Sequence, residues 1–480
     1  MGDQATLVHA ALQQDDEEKA AELLRKAARK RPTAQAAAQL AQLARSMDRN
    51  DLALPLVDRL APGLQRDMFA LYLRGEMGEA VARQTGRRLE GHRQPDGMIL
   101  QYAGALEAEG RQDEAIALLS DLLEDYPDWI AGQQCLAQLQ WTLRHDDPAS
   151  GFAKAVKARP DHELLHAAWL GTLKSMEDHA RLAELLPQIE AAFPSSQLIR
   201  MVAAEAYSEM GQTDMADTRF TDLRSVADPS FDAARMRHEM RAGRPCEAAR
   251  IGAGAVASHG APECWAWLGA ALRALSDPQA DWFYRGDALF SIQTIALDEP
   301  QRASLAKLLR SIHRGSGPPF GQSPRGGTQT LGPLLKRRDK PIIALRRALK
   351  KAVRSYVDAL PPVEPRHPFL ARPREAFRFE GAWSIRLLPE GHHVAHIHSH
   401  GWISSALYVD LPEGMGDDPD RKGWLDIGVP PINPEGRIEP LGSIAPAPLK
   451  LALFPSIFWH GTRPFDAGER LTVAFDVVPR

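Results

Sequence analysis

Prolines recur at a near-constant interval through the first half of the chain. They stand at Pro32, Pro62, Pro95, Pro127, Pro160, Pro194, Pro229 and Pro262, spaced by 30, 33, 32, 33, 34, 35 and 33 residues. A repeat of that length constrains the fold more than any single residue does. The intervening sequence is rich in Ala, Leu, Glu, Gln and Arg, all good helix formers, and each period has room for two helices and two turns. The clearest unit carries Ile99, Tyr102, Ala103, Leu106, Gly110, Ala115, Leu119 and Pro127. Gly110 lets the chain turn, Ala115 lets the second helix approach the first, and Pro127 ends the second helix. Tyr207, Gly211, Ala216, Phe220 and Pro229 repeat the pattern, and Gly243, Ala248 and Pro262 repeat it more weakly.

This pattern resembles the tetratricopeptide repeat across most of residues 1–270, with degenerate units near 50–90 and 165–185. Such units cannot bury their apolar faces alone, so they stack into a solenoid with a concave groove. The resemblance implies a protein or peptide partner in that groove; a plain helical scaffold is the alternative. Trp265 and Trp267 are expected in the core of the last unit.

With 480 residues the chain is too long for one ordinary domain. It is 44% hydrophobic and 25% charged, with a net charge of -4 and a pI near 6.5. Neither nucleic acid nor an anionic membrane is therefore expected as a partner. Cys135, Cys246 and Cys264 form no CxxC pair, so neither a disulfide framework nor a thiolate metal site is expected. No basic stretch followed by an apolar run opens the sequence, so a cytoplasmic location is expected.

The character changes after residue 275. Gly315, Gly317, Pro318, Pro319, Gly321 and Pro324 mark a loop-rich stretch, and residues 325–330 read as an irregular but specified loop, either a wall of an active site or a structural turn. Ile342, Leu345, Leu349, Val353, Tyr356 and Leu360 form one apolar stripe of a helix over 341–360. Arg346, Arg347, Lys350 and Lys351 lie off that stripe and read as a solvated basic face. Beyond 375 the period turns to two: Trp383, Ile385 and Leu387 alternate, as do Leu451 and Leu453, and Leu471, Val473, Phe475 and Val477. Short strands with Gly/Pro-rich loops suggest an antiparallel β sandwich or barrel. The expected division is a helical repeat domain over 1–275, a linker with helical support over 276–370, and a β core over 371–480.

Five of the sixteen histidines fall within nine positions: His392, His393, His396, His398 and His400. His460 follows in the phrase Phe454-Pro-Ser-Ile-Phe-Trp-His460-Gly. On a strand, residues two apart share a face, so His396 and His398 can meet one metal, with His460 completing the set from a neighbouring strand. Three imidazoles with an open position also suit catalytic zinc. Arg470 tips the choice. It opens the final strand, with Thr472 two residues on, and a buried Arg can grip a carboxylate with two parallel charge-assisted bonds while a Thr hydroxyl adds a third.

The run His396-Ile-His398-Ser-His-Gly-Trp402-Ile-Ser404-Ser405-Ala-Leu-Tyr408-Val, with Phe454-Pro-Ser, His460 and Arg470, resembles a group of bacterial 2-oxoglutarate/iron(II) oxygenases with N-terminal tetratricopeptide repeats. The stretch 325–330 fits that group too. The resemblance implies a multidomain chain: an all-α, repeat-built helical solenoid followed by a C-terminal double-stranded β-helix, a jelly-roll or cupin-like oxygenase domain. It implies iron(II) on His396, His398 and His460. It also implies 2-oxoglutarate with its 5-carboxylate on Arg470 and Thr472, and O2 as the oxidant. Tyr408 is a further candidate for the carboxylate subsite, a core tyrosine being the plainer reading. Succinate and CO2 would leave, and hydroxylation is the default outcome.

Two departures stand out. Position 398 is His where the superfamily usually has Asp or Glu, so either His398 binds or water takes the third place. Ser399 stands where relatives often have Pro. The substrate is left open between a protein or peptide recruited by the groove, a small molecule, and a cell-envelope glycan precursor. The competing reading is a protein-binding repeat scaffold whose β-helix is catalytically silent or holds zinc.

Overall fold

The computed structural model describes residues 2–433 and 436–480. Twenty α-helices are present among them, and eighteen come before residue 285. The unit singled out above is the pair Gly97–Ala108 and Gln112–Asp125, and Gly110 turns between them at φ +79°. Ala103, Leu106, Ala115 and Leu119 are buried between the two helices and their neighbours. No helix among the described residues is long and apolar enough to cross a membrane.

The C-terminal part is an antiparallel two-sheet domain. Its strands are β1 (Ser291–Thr294), β2 (Pro324–Gln329), β3 (Phe377–His393), β4 (Ile403–Asp410), β5 (Leu425–Ile427), β6 (Gly442–Ile444), β7 (Lys450–Pro455), β8 (His460–Thr462) and β9 (Arg470–Pro479). Six form one sheet in the order β1-β7-β4-β9-β3-β2, and three form the other in the order β6-β5-β8. The alternating apolar positions of β9 explain its central place: Leu471, Val473, Phe475 and Val477 are all fully buried. Between β3 and β4, β9 sets Thr472 opposite both Ile385 and Tyr408, and Asp476 opposite Ser404.

The edge strands β1 and β2 both come from residues before 375, where no period of two was visible. The stretch 325–330, expected as an irregular loop, lies mostly in β2 and pairs with β3. Its register shifts between Arg325 and Gly327, a bulge made by Gly326 at φ +70°. Gly327 lies so close to β3 that a Cβ would sit 2.2 Å from the Arg386 carbonyl oxygen.

The helix Lys340–Ala359 buries the expected stripe, but its basic face is only partly solvated. Arg347 and Lys351 are exposed. Lys350 instead pairs with Asp15 and Glu17 at 3.3 Å each, and Arg346 approaches Glu17 and Asp48. The first repeats thus supply an acidic surface against which half of the basic face packs.

The repeats and the sheets are joined along the whole solenoid. Ser316 and Gly317 donate their N–H groups to the Thr142 carbonyl, Gly321 donates to Ser175, and Arg338 donates to Met77. These carbonyls stand at the C-terminal ends of three first helices of the repeats, Leu64–Glu76, Ile130–Thr142 and Glu163–Ser175, where the helical ladder leaves acceptors unpaired. The segment after the repeats therefore caps one rim of the solenoid. At its far end a single apolar core runs from Ala233 to Val477. The Trp267 ring packs at a tilt against Trp459, their centres 4.6 Å apart, and Trp459 donates its indole N–H to the Ala266 carbonyl at 3.0 Å.

Candidate metal centre and carboxylate pocket

After β3 the ladder breaks. His396 forms an isolated bridge with His460, each N–H donating to the other's carbonyl at 3.0 Å. His398 donates its N–H to the Ser456 carbonyl, and a turn returns the Gly401 N–H to His398. The His-x-His pair was expected on a regular strand. It lies instead on an extended segment pinned at alternate peptides, which still brings both rings to one side.

His396, His398 and His460 each offer one ring nitrogen, and the three nitrogens lie within 4.8 Å of one another. Their ring centres are 5.1 Å (396–398), 4.2 Å (396–460) and 5.2 Å (398–460) apart. Each Nδ1 already has an acceptor: Val394 carbonyl at 2.9 Å for His396, Phe458 carbonyl at 3.0 Å for His460, and the Asp476 carboxylate at 2.7 Å for His398. Assigning the proton to Nδ1 in each ring leaves three Nε2 lone pairs facing inward, the arrangement a metal ion requires. Burial, then repulsion from His398, pushes the His396 pKa down to about 3. Burial and the neighbouring rings hold His460 well below its ordinary value too. The His396 and His460 rings are thus kept neutral, the form that ligates.

The remaining clustered histidines divide. His400 is exposed and His392 turns back on the Glu390 carbonyl. His393 stays with the site, its ring centre 6.0 Å from that of His396 and its Nδ1 2.9 Å from Ser323 Oγ. A second grouping of three potential ligands, Asp217, His238 and Glu239 in the repeats, is already bridged by the Arg244 guanidinium.

Arg470, 1% exposed, opens β9. Its Nη1 donates to the Gly423 carbonyl at 3.0 Å, its Nε has no partner, and no carboxylate pairs with it among the described residues. Its guanidinium lies 5.2 Å from the Tyr408 ring centre, and the buried Tyr408 hydroxyl also lacks a partner. Burial pulls the Arg470 pKa down from its ordinary value, with Tyr408 opposing. Thr472 is buried beside it, its hydroxyl held only by a 3.5 Å contact to the Ile385 carbonyl. A buried cation and two underused hydroxyl groups are an incomplete set, and an incoming carboxylate would complete it.

Sequence gave His393 a place in the histidine cluster but no role, and did not single out Asp476. Asp476 had a signal, since it follows Arg470 and Thr472 at even spacing on the final strand.

Residues 381–476 match the family described as "Putative 2OG-Fe(II) oxygenase", and residues 96–139 match the tetratricopeptide repeat. The chain thus carries a C-terminal domain that resembles 2OG-Fe(II) oxygenases, behind helices of tetratricopeptide type. Among solved structures it is similar to a prolyl-4-hydroxylase from Pseudomonas putida, at 15% identity over 40% of this chain and 92% of that one, with a TM-score of 0.26. It is similar to HygX from Streptomyces hygroscopicus with nickel and 2-oxoglutarate bound, at 14% identity over 40% and 84%, TM-score 0.27. It is also similar to a tetratricopeptide repeat protein from Parabacteroides merdae, at 14% identity over 56% and 96%, TM-score 0.29. A search of curated proteins gave no match.

Proposed function

We propose that this protein is an iron(II)- and 2-oxoglutarate-dependent oxygenase that hydroxylates a segment of another protein or a peptide. His396, His398 and His460 hold the iron through Nε2. Arg470 takes the 5-carboxylate of 2-oxoglutarate, aided by the Tyr408 and Thr472 hydroxyls. The observation that carries the reading is the pairing of two features: three imidazoles whose ring nitrogens converge, and a fully buried arginine with which no carboxylate pairs among the described residues. Zinc bound by a silent β-helix would account for the first and leave the second unexplained.

When bound, iron(II) and 2-oxoglutarate supply the oxidising chemistry, one oxygen atom of O2 going to the substrate and one to succinate as CO2 leaves. The protein's part is placement. The outer hydrogen bonds of the three rings fix their tautomers and directions. Arg470 fixes the far end of the cosubstrate, and the apolar walls from Phe454 and Trp383 limit water.

The reading of a protein or peptide substrate rests on a cleft of about 560 Å³ between the repeats and the segment leading into β2. Trp141, Arg144, Met176 and Arg181 face Pro318, Arg325 and Gly326 across it. The neighbouring Ser323 and Pro324 pair directly with His393, so the cleft adjoins the histidine cluster. Anaerobic addition of 2-oxoglutarate to the iron(II)-loaded protein tests the core of the proposal. A visible charge-transfer band and succinate release on admitting air are expected. Metal uptake with neither signal would favour the zinc-bound or silent domain.

A further inference from the structure

The three imidazoles differ in what holds their outer nitrogens. His396 and His460 donate to neutral backbone carbonyls. His398 donates to a carboxylate, its Nδ1 2.7 Å from each Asp476 oxygen. Asp476 is 8% exposed, and among the described residues His398 is its only ion-pair partner. Ser404 Oγ donates to it at 2.7 Å and is itself 2.9 Å from Ser456 Oγ. Gly401 packs against the same carboxylate: a Cβ there would lie 3.3 Å from Asp476 Cγ and 2.4 Å from Ser456 Oγ. A glycine in the turn, a serine on β4 and a serine just past the end of β7 thus form a cradle for one buried carboxylate aimed at one imidazole.

We propose that Asp476 is the carboxylate of this metal centre, placed behind His398 instead of on the iron. The inference rests on the iron reading given above. A face of three neutral imidazoles leaves the ion's full +2 charge uncompensated, whereas two imidazoles and a carboxylate neutralise half of it. Asp476 returns that negative charge through one hydrogen bond. It fixes the proton of His398 on Nδ1, directs the Nε2 lone pair inward, and makes that nitrogen a stronger donor. Asp476 is therefore a positioning residue acting through His398. Arg470, Thr472 and Asp476 stand at even spacing along β9, so one strand face carries both the cation for the cosubstrate and the anion for the metal ligand.

The test uses the full-length protein, cobalt(II) as probe, and Asp476→Asn and Asp476→Ala beside His396→Ala and His398→Ala. Asn keeps the size and the acceptor but removes the charge. Expected are a roughly tenfold loss of cobalt affinity in Asp476→Asn and a roughly hundredfold loss in Asp476→Ala, the usual range for such outer partners. The visible d–d bands should shift in both, and the metal-free Asp476→Asn protein should melt close to wild type. Wild-type affinity and spectrum in both Asp476 variants would overturn the inference and leave the iron reading standing. So would full cobalt affinity in His398→Ala alongside its loss in His396→Ala. A wild-type protein that takes up no metal would overturn the iron reading and this inference together.

Discussion

The Arg470 guanidinium lies over the Tyr408 ring, 5.2 Å from its centre, with both side chains fully buried and each keeping a polar atom unpartnered. A buried, unpaired charge destabilises a fold, so the pair makes sense as a receptor whose anion arrives later. Arg470→Ala should weaken 2-oxoglutarate binding by roughly 2–4 kcal/mol, or about 30- to 1,000-fold, with iron affinity nearly intact. Tyr408→Phe removes one neutral hydrogen bond and should cost about 2- to 12-fold. Arg470→Met, which fills the space without the charge, should raise the melting temperature of the cosubstrate-free protein. Calorimetric titration with 2-oxoglutarate and a thermal melt measure these effects. Unchanged affinity in Arg470→Ala would put the carboxylate elsewhere.

The shared core across residue 275 has a direct consequence. Trp459, 6% exposed, is held by Trp267 and by the Ala266 carbonyl, both in the last repeat helix Pro262–Ala274. Trp459→Ala should destabilise the chain by about 3–5 kcal/mol. A C-terminal fragment beginning at 276 should fail to fold alone and should gain its β signal only when mixed with the N-terminal piece. Circular dichroism of the fragments, separate and mixed, decides this; a cooperative melt of the isolated C-terminal piece would contradict it.

Legibility in the sequence followed periodicity. The repeat unit at 97–125 and the strand β9 were readable because each has a strong period, of helical pairs in one case and of two residues in the other. His396, His398, His460 and Arg470 could be named as candidates because residue type and spacing carry chemistry, and the structure brings the three imidazoles together and buries the arginine. β1 and β2 were not: β1 is four residues long with Ile292 facing out, and β2 contains two adjacent glycines, which ordinarily mark a turn. The packing of Lys350 and Arg346 was hidden for a different reason. Their acidic partners, Asp15, Glu17 and Asp48, lie about three hundred residues away in the chain. Asp476 was missed although its even spacing after Arg470 and Thr472 puts it on their strand face; spacing alone gave it no role, which comes from the imidazole it meets.

Gly327 gives a sharp test of the edge strand. A Cβ there would lie 2.2 Å from the Arg386 carbonyl oxygen and 2.9 Å from Leu387 Cα, both backbone atoms that cannot swing aside. Gly327→Ala should separate β2 from β3 and release the Ser323–His393 hydrogen bond next to the metal centre. Amide hydrogen exchange should rise at Gly327, Thr328 and Gln329, with β9 staying protected. The neighbouring Gly326, at φ +70°, should tolerate Asn better than Val, because only the former enters the left-handed region readily. Unaltered exchange in Gly327→Ala would show that the strand can shift to accept the methyl group.

A pH dependence follows from His313, which is distant in role from the metal ligands. Its Nδ1 lies 2.8 Å from Thr328 Oγ1 and its Nε2 3.1 Å from Ser384 Oγ, tying the end of the helix Glu299–Ile312 to β2 and β3. Burial pushes its pKa down to about 4, Arg386 adds to the shift, and Glu469 opposes it. The unfolded chain, with an ordinary imidazole near 6.5, therefore binds more protons than the folded one between those two values. Stability from this group is fully present above pH 6.5 and is lost as the pH falls towards 4, by up to about 1.4 kcal/mol per pH unit. His313→Gln keeps a polar side chain and removes the titration. Urea midpoints of the metal-free protein at about pH 7.5 and about pH 5 should fall less steeply with acid in His313→Gln than in wild type. The other buried histidines are common to both proteins and cancel in the difference between slopes. Parallel slopes would mean that His313 takes up its proton in the folded protein as readily as in the unfolded chain.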